Sequence, residues 1–172
     1  EVKTIEDFRA RIKEEIARSL VSSSEYKFAI DTRDSLVEQA NLELPEAFLK
    51  RWLKEVNKEL TEEQIDQDFD GFIKDLQWQL IKDSIAKEGE VKVTPEEAED
   101  FAKNIALAQY QQYGIYDVPE EQLESFAKMM LEKPEENERI YKKLHEDKVI
   151  AIVKEKVTVE EEEISQEEFT KM

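Results

Sequence analysis

The sequence has no cysteine, one histidine, three glycines and four prolines. Without cysteine there are no disulfides, zinc–thiolate centres or thiol nucleophiles. The lone His145 has Glu146 and Asp147 beside it, but neighbours on a helix diverge by about 100° per residue and do not converge on a metal. It reads as a surface or packing residue, and no partnered histidine exists for a catalytic triad. Neither GxGxxG nor GxxxxGK[ST] occurs. No run approaches the roughly 20 apolar residues of a membrane span, and no signal peptide is visible. Asp and Glu number 43 against 25 Lys and Arg, a formal net charge of −18. Such a charge repels nucleic acid and anionic membrane surfaces, so neither is expected as a partner. Carboxylate pairs are then so frequent that they select no acid–base chemistry.

What is present is helix-forming. The chain is 40% charged and 40% hydrophobic with few breakers, the composition of long helices with wet outer faces. Its 172 residues suffice to bury a core. Thr4 with Asp7 opens a first helix, and Ile5, Phe8, Ile12 and Ile16 recur at helical spacing to about Ala40, with Ser22, Ser23 and Ser24 as a weak spot. Pro45 suits the start of a second helix carrying Phe48, Leu49, Trp52, Leu53 and Val56. Thr61 and Gln64 form a capping box for a third, for which Gly89 is the expected stop. Val91 and Val93 make a short extended link. Thr94-Pro95-Glu96-Glu97 is the clearest helix start in the chain, and Gly114 ends that helix. Pro119 and Pro134 begin two more, the last running to about Glu155. Val157-Thr158-Val159 is extended, four glutamates follow as a solvated tail, and Ser165 with Glu168 caps a final turn carrying Phe169. The expected fold class is all-α, with six main helices.

One stretch imitates a metal site. In DQDFDGFIKDLQ, Asp66, Asp68, Asp70, Gly71 and Ile73 occupy positions 1, 3, 5, 6 and 8 of an EF-hand loop. Position 12 is Gln77 where a bidentate Glu is needed, and Lys74 adds positive charge. Phe69, Phe72, Ile73, Leu76 and Leu80 run through the segment at helical spacing. A structural helix is the favoured reading, and no metal or cofactor is expected.

The middle and later helices concentrate soft and aromatic side chains, among them Trp78, Tyr110, Tyr113, Phe126, Met129 and Met130. Each alone is ordinary core. Collectively, in a chain drawn into long helices, they predict exposed apolar patches, which mark interaction surfaces. Methionine beside aromatic anchors suits many partners, and surrounding charge keeps such a patch soluble.

The order of motifs then becomes specific. TIEDFRARIKEEIARSL, a long helix, and ANLELPEAFLKRWLKEVNKEL resemble the C-terminal chaperone domain of bacterial trigger factor. VKVTPEEAEDF, YGIYDVPEEQLESF and HEDKVIAIVKEKVTVEEEEISQEEF continue the resemblance across essentially the whole chain. The resemblance implies an elongated fold with a spine helix over 1–42, arms over 45–90 and 94–133 forming a cradle, and a return helix and tail over 134–172. It implies ATP-independent binding of unfolded or nascent polypeptide in the bacterial cytoplasm, without enzymatic activity in this chain. Ribosome docking and prolyl isomerisation belong to other domains of that family, so a sequence beginning at Glu1 reads as a fragment.

The expected client-contact residues are Phe69, Phe72, Leu76, Trp78, Tyr110, Tyr113, Phe126, Met129 and Met130. A helical scaffold or dimerisation module and a calcium-responsive helical protein built on Asp66–Gln77 are the alternatives. A weak homodimer also stays open.

Overall fold

The computed structural model describes residues 4–171; the first three residues of the expected spine helix and Met172 of the tail lie outside them. Those residues form seven helices and no strand: α1 Ile5–Ala40, α2 Glu46–Val56, α3 Glu62–Glu88, α4 Pro95–Gln112, α5 Glu120–Leu131, α6 Pro134–Lys156 and α7 Gln166–Phe169. The all-α expectation holds. The chain divides into two compact units, Glu1–Ile85 and Ala86–Met172.

Capping residues set most boundaries. Thr4, Thr94 and Ser165 each accept from the backbone N–H three residues on, and Asp7, Glu97 and Glu168 return the bond. Thr61 and Gln64 do the same at the start of α3, at 3.2 and 2.9 Å. These reciprocal bonds satisfy backbone donors that a helix start leaves free. The serine run does not break α1: the Ser23 hydroxyl donates to the Ser19 carbonyl at 2.9 Å, a bond that lets serine sit inside a helix.

Three helix ends use left-handed backbone: Asn41 (φ 42°), Glu90 (φ 49°) and Gly114 (φ 77°). After α4, the Ile115 N–H reaches the Tyr110 carbonyl and Gly114 reaches Gln111, a Schellman motif with glycine at its left-handed position. After α3, the equivalent bonds run from Val91 to Ala86 and from Glu90 to Lys87. There the left-handed residue is Glu90, one position beyond the glycine expected to stop the helix.

In the first unit, residues 4–26 are exposed throughout, including Ile5, Phe8, Ile12 and Ile16; burial on α1 begins near Lys27 and reaches Thr32. Arg33 of α1 meets Asp75 of α3 at 2.5 Å. Gln77 of α3 donates to the Leu42 carbonyl at 2.8 Å. That bond holds the Leu42–Leu44 step, whose two leucines are half-buried while Glu43 faces water. Between α2 and α3, Lys50 pairs with Asp66 at 2.6 Å, and Lys54 pairs with Glu62.

The second unit is built on small residues. Ala98, Ala102 and Ala106 lie one turn apart on α4 and are fully buried, as is Ala127 of α5. Ala98, Ala102 and Ala127 form one cluster with Ile140 of α6, flanked by Phe101, Ile105, Met130, Leu131, Tyr141 and Leu144. A stripe of methyl groups lets helix backbones approach closely, and the larger side chains then fill the edges. Val149 and Val153 continue the buried face of α6.

Candidate binding surface

The EF-hand-like stretch is uninterrupted helix within α3. Asp68 therefore points away from the face that Asp66 and Asp70 share, and Asp66 is held by Lys50. The Lys50 ammonium also lies 4.6 Å from the centre of the Phe69 ring, which packs against Phe72 at 6.1 Å. The hydrogen bond to Asp66 pushes the Lys50 pKa up. Among the described residues no group of three or more His, Asp or Glu side chains could hold a metal ion. His145 is half-buried on α6.

The nine expected contact residues divide by exposure. Phe69 and Trp78 are only 4% and 5% exposed. The chain itself already removes them from water, so they pack the protein and offer little to a partner. Phe72, Leu76, Tyr110, Phe126 and Met130 are half-buried. Tyr113 and Met129 stand out at 83% and 48% exposed. The burial of Phe69 and Trp78 could not be read in the sequence: helical spacing shows which residues share a face, not whether the rest of the chain covers it.

The structure brings three of the nine together. Phe126, Met129 and Met130 of α5 line an open cleft of about 650 Å³ with Phe101 and Ile105 of α4 and Ile140 of α6. Tyr110 supports its wall by an edge-on contact with Phe126, ring centres 6.5 Å apart. The rim carries Lys133, Arg139, Lys142 and Lys143 with Glu136 and Glu146. Sequence reasoning missed Phe101 and Ile105, although their four-residue spacing beside the alanine stripe was a usable signal. It also missed the rim. Arg139, Lys142 and Lys143 follow one another on α6 with no acid between them, in a chain with a large excess of acids.

Two lysines fix the helices that form the cleft. Lys103 of α4 reaches Glu99, Glu120 and Glu124 at 3.2, 3.1 and 3.4 Å, tying α4 to the first turns of α5. The hydrogen bond to Glu120, joined by those to Glu99 and Glu124, raises the Lys103 pKa. Lys148 of α6 reaches Glu97 at 2.7 Å and the Lys92 carbonyl at 2.6 Å. Glu97 thus closes a capping box and an interhelix bridge with one carboxylate. Its pKa is lowered chiefly by the Lys148 hydrogen bond, then by the Thr94 N–H.

A family model described as "Probable trigger factor, C-terminal domain" matches residues 24–172. The chain belongs to that family. No curated protein and no solved structure matches it. The match covers the cleft, both lysine bridges and every helix after α1. It begins inside α1, so the exposed Ile5, Phe8, Ile12 and Ile16 precede it. As a trigger factor C-terminal domain, the chain is a chaperone-type domain, distinct from the isomerase domain of that family. Among the described residues, no helix is long and apolar enough to cross a membrane.

Proposed function

We propose that this trigger factor C-terminal domain binds unfolded or nascent polypeptide in the bacterial cytoplasm and delays its aggregation without ATP. The supporting observation is the apolar cleft between α4, α5 and α6, with Met129 projecting at its edge. Burying a client's apolar side chains is favourable by roughly 25 cal/mol per Å². Ordering the client offsets much of that gain, so binding is modest and release needs no nucleotide. Methionine adapts to clients of different shape. Phe72, Leu76, Tyr110, Tyr113, Phe126, Met129 and Met130 are the proposed contacts, with residues 45–90 and 94–133 serving as the arms. The direct test dilutes a denatured, aggregation-prone protein into buffer with the chain and without ATP. Reduced light scattering is expected; unchanged scattering at a molar excess of the chain overturns the reading.

A second reading, weak self-association, rests on the exposed Ile5, Phe8, Ile12 and Ile16 stripe of α1. Sedimentation equilibrium should then show a mass that rises with concentration and falls to the monomer value in Ile12→Ser/Ile16→Ser.

A further inference from the structure

The chain has no cysteine and three methionines. Among the described residues the sulfur atoms are therefore those of Met129 and Met130 alone, and both line the α4–α5–α6 cleft. The two are neighbours on α5 but differ in surroundings. Met129 is 48% exposed. Met130 is half-buried against the cluster of Ala98, Ala102, Ala127 and Ile140. A thioether is oxidised most readily where solvent reaches it, and no thiol of this chain competes for the oxidant.

We propose that Met129 is an oxidation site that sets the cleft's affinity for unfolded polypeptide. The control of affinity rests on the chaperone reading; the oxidation itself does not. With hydrogen peroxide as oxidant, the thioether sulfur takes up one peroxide oxygen and becomes a sulfoxide, and the peroxide is reduced to water. Reversal takes a dithiol reductant with methionine sulfoxide reductase: the oxygen leaves as water and the dithiol becomes a disulfide. The sulfoxide replaces an adaptable apolar side chain by a polar one. A client seated over it covers a polar oxygen, and covering such a group without a hydrogen-bond donor opposes binding. Stability separates the two methionines. Oxidation of exposed Met129 leaves the packing of the cluster intact, whereas oxidation of Met130 places a polar oxygen against it.

The test uses the full chain carrying Met172→Leu, which leaves the cleft pair as its only methionines. Dilute hydrogen peroxide followed by peptide mass mapping should add one oxygen at Met129 well before Met130. With the peroxide then removed, affinity for a reduced, alkylated unfolded protein should fall about fivefold at an unchanged melting temperature. Treatment with methionine sulfoxide reductase should restore it. The unfolded protein, present during oxidation, should slow the reaction at Met129 by covering it. In Met129→Leu, peroxide should leave affinity at whatever value that variant shows untreated. Faster oxidation of Met130 than of Met129 overturns the site. Met129 sulfoxide with undiminished affinity, or an equal loss in Met129→Leu, overturns the control while client binding stands. If the untreated chain binds no unfolded protein, the chaperone reading fails and the control falls with it.

Discussion

Lys148 and Glu97 join α6 to the first turn of α4 at 2.7 Å, and the same lysine holds the Lys92 carbonyl of the preceding link. Because the Glu97 carboxyl is held below its ordinary pKa, its contribution to stability is complete above the unfolded value near pH ~4.3. It is lost as pH falls through the lower folded value. Lys148→Met should therefore lower the melting temperature at neutral pH, and shrink the further drop seen on acidification to about pH 3. Thermal melts followed by circular dichroism at the two pH values check this. An acid-side drop as large as in the unaltered chain contradicts it.

Thr94→Ala removes the other half of that capping box while leaving Lys148 in place. The expected cost is about 1 kcal/mol, read as a lower denaturation midpoint with an unchanged slope.

Lys103 works in the opposite pH direction. Its raised pKa gives stabilisation that is present below the unfolded lysine value near ~10.4 and is lost as pH rises through the higher folded value. Lys103→Gln should loosen α4 from α5 at neutral pH by leaving Glu99, Glu120 and Glu124 facing each other. Amide exchange should quicken in the first turns of α5, and unfolding should depend less on alkaline pH.

Two glycine exchanges separate backbone effects from packing. Gly71 lies inside α3 with nothing within 4 Å of an added methyl group. Gly71→Ala should stabilise by roughly 0.5–1 kcal/mol. Calcium should leave the melting curve unchanged in both forms, because the segment is continuous helix and not the turned loop of an EF-hand. Glu90 carries a left-handed backbone at φ 49°, and Glu90→Gly should stabilise by about 1 kcal/mol. Chemical denaturation measures both; destabilisation by either exchange contradicts the assigned backbone.

How much of this could be read in advance depends on range. The starts of α3, α4 and α7 were legible because a cap and its return bond lie three residues apart in sequence. α3 does stop at Gly89, with Glu88 its last residue, but a glycine there says little about which position turns left-handed, and the chain's hydrogen bonds choose Glu90. Lys103 and Lys148 could not be read at all. In a sequence with 43 acids, no pattern tells which glutamate on another helix a given lysine meets. For the same reason the aromatic list held Phe126, Met129 and Met130, which line one cleft, but could not separate them from the buried Phe69 and Trp78. Ala98, Ala102 and Ala106 were legible as helix formers; their close packing against α5 appears only with the fold.

Ala102 shows the consequence of that packing. It is fully buried in the α4–α5–α6 cluster, so Ala102→Leu should cost about 1–3 kcal/mol through overpacking. It should also distort the cleft that shares these helices, visible as weaker peptide binding alongside the lower denaturation midpoint.

The most direct measurement is the affinity of the full chain for a reduced, alkylated and permanently unfolded protein. It should be compared among the unaltered chain, Tyr113→Ser/Met129→Ser, and Phe8→Ser/Ile16→Ser on α1. All four substituted side chains are exposed, so equal melting temperatures make the comparison clean. Binding should weaken severalfold in Tyr113→Ser/Met129→Ser and persist in Phe8→Ser/Ile16→Ser. Unaltered binding in the first variant, or loss confined to the second, would contradict a client site on the second unit.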